Sequence, residues 1–276
     1  MLVSQINIYP IKSCRGFSVP QADVEARGLA GDRRYMLVDA NGKFLTQREH
    51  PHMALIAVHT TPDGYRVEAP GQPPLTIPRG LATGAESQVR IWRDTVPATV
   101  AGEDINIWFS QCLGFACGLV YMADDQHRPV TNEAAEFDDE VSFADGAPIL
   151  LISTGSLADL NGRLDEPVTM DRFRPNIVVE APTPFVEDSW RSIAIGSAEL
   201  VVAWQCSRCI LPTIDPATGI KHPRGEPLET LRSYRRVGPK VMFGQNVIPR
   251  SRGTIRVGDT VRVLAAERGR DTTSAQ

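Results

Sequence analysis

The chain has no surplus of positive charge, no long apolar run and few cysteines. Lys plus Arg number 29 against 33 Asp plus Glu, a formal net charge of −4. A protein that coats duplex nucleic acid carries a basic excess, so nucleic acid is not the expected partner. The longest apolar stretch runs only from Ala147 to Ile152, far short of the ~18 residues of a membrane helix, and no membrane association is expected. The opening MLVSQINIYP has neither a basic start nor a small-residue cleavage site, so no secretory signal is expected. The five cysteines are Cys14, Cys112, Cys117, Cys206 and Cys209. An odd count argues for free thiols in a reducing compartment, and a cytoplasmic location is expected.

Gly (22) and Pro (21) are plentiful, which favours many turns and short strands over a helical bundle. A length of 276 residues permits one large domain or two small ones. The first hundred residues read as hairpins. Arg34–Val38 and Lys43–Thr46 flank Asn41-Gly42, Ala57–Thr60 and Tyr65–Glu68 flank Pro62-Asp63-Gly64, and Val89–Trp92 and Thr95–Val100 flank Arg93-Asp94. Ile105, Trp108, Phe109, Cys112 and Leu113 then fall on one face of a helix over Glu103–Leu113, stopped by Gly114. Leu119–Met122 resumes strand character, and 123–140 reads as a polar loop. Beyond it, strands are expected at Ala147–Ile152, Asn176–Glu180, Ala198–Trp204, Thr254–Val257 and Thr260–Leu264. Helices are expected after Ser153 or Thr154 and over Glu226–Tyr234. The fold class is therefore mixed and mainly β, with a few helices and two barrel or sandwich units.

The most informative stretch is Trp204-Gln-Cys206-Ser-Arg208-Cys209-Ile210-Leu-Pro-Thr-Ile-Asp215-Pro. A zinc finger needs two more ligands; His222 follows Cys209 with 12 residues between, but no second His stands at the expected spacing. A thioredoxin-type pair caps a helix, whereas Ile210–Ile214 reads as extended. Cys112 and Cys117 have the x4 spacing of a plant-type iron–sulfur site, yet nothing completes it, so no internal iron–sulfur cluster is expected. Two buried free thiols remain an ordinary alternative. So does a single thiolate ligating a soft, high-valent metal whose cofactor supplies the other sulfurs. Such a cofactor carries phosphate, and the chain offers Lys12-Ser13, Arg33, Arg48, Arg174 and Ser207-Arg208 to meet it.

Several motifs carry a family resemblance. Ile8-Tyr-Pro-Ile-Lys12-Ser13-Cys14-Arg-Gly16 resembles the opening of MOSC N-terminal β-barrel domains. Arg172-Phe-Arg174-Pro-Asn176, Cys206-Ser-Arg-Cys209, Asp215-Pro-Ala-Thr-Gly219, Glu226-Pro-Leu-Glu-Thr-Leu-Arg232-Ser-Tyr-Arg235 and Phe243-Gly-Gln245-Asn246 resemble the MOSC domain. The chain is similar, from about residue 2 to about residue 264, to the amidoxime-reducing components and bacterial YcbX-like proteins. The resemblance implies a MOSC N-terminal β-barrel domain over 1–120, a MOSC β-barrel domain over 121–266 and a disordered tail over 267–276. It implies a molybdenum–molybdopterin cofactor with Cys209 as the metal ligand and Cys206 as a neighbour. Lys12, Ser13 and Arg33 match residues on the pterin phosphate side. Arg174 and Asn176 match a motif lining the site, Ser207 and Arg208 flank the ligand, and Asn246 follows the Phe-Gly-Gln turn. Asp145 and Gly146 match a cofactor-facing turn where relatives often place Ser or Thr; Gly146 and Ala147 have no hydroxyl, so contact there falls to the backbone. Cys209 and Asn176 are the residues expected at the reacting centre, and Asp215 is expected either to relay protons or to form a turn.

The implied activity is reduction of an N-hydroxylated or N-oxygenated small molecule to an amine, amidine or similar base. Some bacterial relatives continue into a ferredoxin-like domain with a [2Fe–2S] cluster. No such cysteines follow here, so a separate electron donor is expected, a ferredoxin or a cytochrome b5-type protein with its reductase. The competing implication is a carrier of molybdenum cofactor or of sulfur, without reductase turnover.

Overall fold

The computed structural model describes residues 1–81 and 84–266; the expected tail over 267–276 lies outside the described residues. The chain is mostly β, and its architecture follows from one long sheet. Leu2–Ile8 is a strand because Val3, Ile6 and Ile8 bury apolar side chains. It pairs antiparallel with Ile177–Glu180, far away in sequence. That strand lies parallel to Ile149–Ser153, which continues through Lys240–Pro249, Ala198–Ser207, Trp190–Ile195 and Val261–Ala266. The two ends then meet. Val261 N–H donates to Met1 O, Val3 N–H to Asp259 O and Gly258 N–H to Val3 O, each at 2.8–3.0 Å. Closure into a ring removes the exposed edges that an open sheet would carry. Ile6, Leu151, Ile193, Leu200 and Val247 fill the interior.

The other half holds the sheet Tyr35–Asp39, Cys117–Tyr121, Asp94–Val100 and Glu86–Ile91, and the meander Ala57–Thr61, Gly64–Glu68 and Leu75–Pro78. Helix Glu103–Leu113 packs Ile105, Trp108 and Phe109 into their core with Tyr35, Leu37 and Val67. Gly114 ends it at φ +80, a left-handed conformation that costs glycine little. Ser153 caps the helix Thr154–Asn161, its Oγ accepting from Ser156 N–H at 3.1 Å.

Three local expectations change. Lys43–Thr46 is not a strand: Lys43 and Phe44 make only isolated bridges, and Gly42 alone of Asn41-Gly42 has positive φ. The Asp39 carboxylate shapes this turn instead, accepting from Asn41 and Lys43 N–H. The third hairpin turns one residue earlier, with Ile91 opposite Asp94 and Trp92 at the apex. Ile210–Ile214 is not extended, because Leu211–Thr213 forms a short 3-10 turn that tolerates Pro212 in its first turn. Two strands without clear alternation, Trp190–Ile195 and Lys240–Pro249, had not been expected.

Candidate functional site

A cavity of ≈ 430 Å³ opens between the two sets of elements. Lys12, Ser13, Arg33, Asp145, Gly146, Arg174, Asn176, Ser207, Arg208, Cys209 and Asn246 all line it. The first half supplies the turn after Leu2–Ile8, Arg33, Arg48 and the Trp92 apex. The ring supplies the end of Ala198–Ser207 with the loop beyond it, and Asn246 from Lys240–Pro249. The strand Ala198–Ser207 runs three residues past the expected end and so carries Cys206 and Ser207 to the cavity wall.

The backbone is strained here. Five described residues other than glycine have positive φ, and Ser13, Arg33, Trp92 and Arg174 all line the cavity. Each such conformation costs about 1–3 kcal/mol, and such residues cluster at functional sites. Backbone hydrogen bonds hold two of them: Arg33 N–H donates across the fold to Tyr9 O, and Arg174 N–H donates to Asp171 O at the end of the short turn Met170–Phe173. Gly16 lets the chain pass under Tyr9, since a Cβ there would sit 2.5 Å from Tyr9 Cδ1 and 2.2 Å from Ile8 O.

The lining is strongly cationic. The Arg33 and Arg174 guanidinium carbons lie 4.4 and 4.3 Å from the Tyr9 ring centre. Burial pushes the Tyr9 hydroxyl up to about 12, with both arginines opposing that shift. Arg33 pairs with the buried carboxylate of Asp32. Burial raises the Asp32 pKa, and Arg33 offsets part of the rise. Burial lowers Lys12 to about 8, although its contact with Asp145 works the other way. Desolvation would raise Asp145, but Lys12 and Arg48 overturn that and hold its carboxyl well below the usual range. Asp145 is carried by a turn that the buried Arg128 staples through Ser142 O at 2.9 Å and Ala144 O at 2.7 Å.

Asn176 is 1% exposed. Its Oδ1 accepts from Arg33 Nη1 at 2.8 Å and from Leu150 N–H at 3.2 Å, while Nδ2 donates to Asn7 O at 3.2 Å. Asn176 thus lines the cavity with its amide tied to Arg33, Leu150 and Asn7. Asp215 forms a turn, its Oδ1 accepting from Ala217 N–H; it faces Arg172 and is not part of the cavity lining. Trp92 and Trp204 complete the wall without having been placed there by sequence. Arg48, one of the cations the sequence offers to a phosphate, lines it as well.

The donor set indicates the kind of guest. Among the described residues, no group of three or more His, Cys, Asp and Glu side chains is arranged to hold a metal ion. Cys14 and Cys117 are core residues of the first half, and Cys112 packs against that core. Cys206 and Cys209 are both free and both line the cavity. A metal here would need a group bringing its own ligands. Arg174 Nη2 and Arg208 Nε are buried without a hydrogen-bond partner, which is costly unless a ligand satisfies them. Five cations face one carboxylate across this cavity, and two free thiols share its wall, so the residues fit an anionic, phosphate-bearing cofactor that can take a protein thiolate.

A model of the MOSC N-terminal beta barrel domain matches residues 1–116, and a model of the MOSC domain matches residues 138–262. The chain is 37% identical over 280 residues to mitochondrial amidoxime-reducing component 1 of Mus musculus, covering 95% of this chain and 82% of that one. It is 35% identical over 279 residues to the component 1 protein of Homo sapiens, with the same shares covered. Identity is 36% over 278 residues with mitochondrial amidoxime reducing component 2 of Rattus norvegicus, covering 94% and 82%.

Proposed function

From the premise that the chain belongs to the MOSC family, with an N-terminal MOSC β-barrel domain and a MOSC domain, we propose that it is a molybdenum-dependent reductase of N-hydroxylated small molecules. The observation that carries this reading is the free Cys209 thiol in a cation-lined cavity between the two halves. When bound, the molybdenum–molybdopterin cofactor supplies two-electron removal of oxygen from nitrogen, with electrons from a separate donor protein. The chain's own residues do the rest. Cys209 holds the metal. Lys12, Arg33 and Arg174 neutralise the phosphate, and Asn176 and Asp32 aim Arg33 at it. The orphaned nitrogens of Arg174 and Arg208 gain acceptors, and the Ser13 and Ser207 hydroxyls and the Asn246 amide add donors on the cavity wall. Gly146 opens the turn beside Asp145, where an added Cβ would meet nothing within 4 Å. A reducing compartment such as the cytoplasm suits the five free thiols.

The test is expression in a host that makes the cofactor, with molybdenum measured per chain. Reduction of an N-hydroxylated amidine is then assayed with reduced methyl viologen as donor. Cys209→Ser is expected to stay folded by circular dichroism and to lose molybdenum by at least about tenfold. Unchanged molybdenum in that variant overturns the ligand assignment; a loaded chain inert to such substrates points to a carrier.

A further inference from the structure

Arg48 approaches the Cys209 sulfur from the opposite half of the molecule. Its Nε lies 3.0 Å from Cys209 Sγ, and every other part of the side chain is fixed. Nη2 bonds Asp145 Oδ2 at 2.8 Å, and the guanidinium carbon lies 4.7 Å from the Trp92 ring centre. Trp92 in turn bonds Asp145 through Nε1 at 3.3 Å and packs on Phe44 at 4.8 Å between ring centres. The Arg48 backbone is held as well, because its N–H donates to Thr46 Oγ1 and the chain turns through Glu49 and His50 N–H to Thr46 O. A strained apex at Trp92, φ +55, is retained where it braces this cation. The other arginine–cysteine contact is different: Arg208 Nη1 meets Cys206 only two residues away, at the end of the strand Ala198–Ser207, and its Nη2 is spent on Phe173 O.

We propose that Arg48 is a positioning residue that tunes the Cys209 sulfur: its Nε–H and charge draw electron density from the thiolate and raise the reduction potential of a metal held there. The inference rests on the assignment of Cys209 as the molybdenum ligand. Hydrogen bonds to a ligating sulfur tune the potential of a metal site, and a donor stabilises the reduced, more electron-rich form. Asp145 and Trp92 act through Arg48 by holding the guanidinium in register with the sulfur.

The experiment is a redox titration of the molybdenum-loaded protein with dithionite and ferricyanide, followed by the electron paramagnetic resonance signal of Mo(V). Wild type, Arg48→Met and Arg48→Lys are compared, with molybdenum content measured on each sample. The midpoint is expected to move to lower potential in Arg48→Met and by a smaller shift in Arg48→Lys, which keeps the charge but not the planar Nε–H. Equal midpoints in all three loaded proteins overturn the tuning role and leave the ligand assignment standing. Loss of molybdenum from both variants also overturns it, by making Arg48 a cofactor-holding residue. A wild-type chain without molybdenum fails at the earlier step, because it removes the ligand assignment itself.

Discussion

Two cysteines three positions apart share the cavity wall, and their surroundings separate them. Cys206 is met by Arg208 from two residues along the chain, whereas Cys209 is met by Arg48 from the other half. Cys206→Ser is therefore expected to keep molybdenum within about twofold of wild type, against the roughly tenfold loss for Cys209→Ser; elemental analysis of the two variants decides it. Lys12 gives a second residue-scale test. Burial lowers it to about 8, so it carries its charge below that pH and loses it above. Binding of pyrophosphate to the metal-free protein is expected to weaken as pH rises through about 8, and Lys12→Met is expected to bind weakly with no step there. Isothermal calorimetry across pH 6.5–9.5 reads both, and a wild-type affinity that stays flat over that range counts against a charged Lys12 in the site. In the Glu226–Arg235 motif, Arg235 pairs with Asp188 and Arg232 with Glu229. Both lie outside the cavity lining.

Elements deliver these residues, and some were readable while others were not. Helix Glu103–Leu113 was legible because its apolar period matches 3.6 residues and Gly114 supplies the stop. The cap was legible as Ser153 or Thr154, and the structure selects Ser153, whose side chain satisfies an N–H that the helix leaves open. Ser153→Ala is expected to cost about 1 kcal/mol, seen as a lower urea midpoint at unchanged slope. Lys240–Pro249 was not legible as a strand, because it is buried on both faces and lacks alternation; Phe243, Gly244 and Gln245 are consecutive buried residues. The Trp92 apex was placed one residue off, since a bulky residue with positive φ contradicts every local preference. It holds that conformation where its ring meets Arg48 and Phe44. The polar stretch 123–140 contains no named strand or helix, yet Arg128 within it builds the Asp145 turn. His127 sits outside the cavity lining against Glu140.

At the scale of the whole molecule, the first strand belongs to the ring that the second half builds. Leu2–Ile8 pairs with Ile177–Glu180, and residues 1–3 close the ring against residues 258–261. Gln21–Glu25 likewise pairs with Gly253–Arg256. A fragment beginning at residue 121 would expose the core lined by Val3, Ile6 and Ile8, and burial of each such side chain is worth about 1.5–3 kcal/mol. It is expected to show no cooperative thermal transition by circular dichroism. Addition of the missing strand as part of the full chain restores one, and a sharply melting fragment would show that the crossing strand is dispensable.

The residue types of the site were fixed by the sequence alone: a thiol pair, a Lys-Ser turn, scattered arginines and the motifs around them. Local periodicity also set the mainly β character and the two best helices, because those depend on neighbours a few residues apart. Which thiol meets which arginine, that Asn176 serves Arg33, and that Trp92 and Asp145 brace Arg48 were decided only by the tertiary structure. Those contacts join residues up to 161 positions apart, and no local propensity encodes a pairing that closure of the ring and docking of the two halves create.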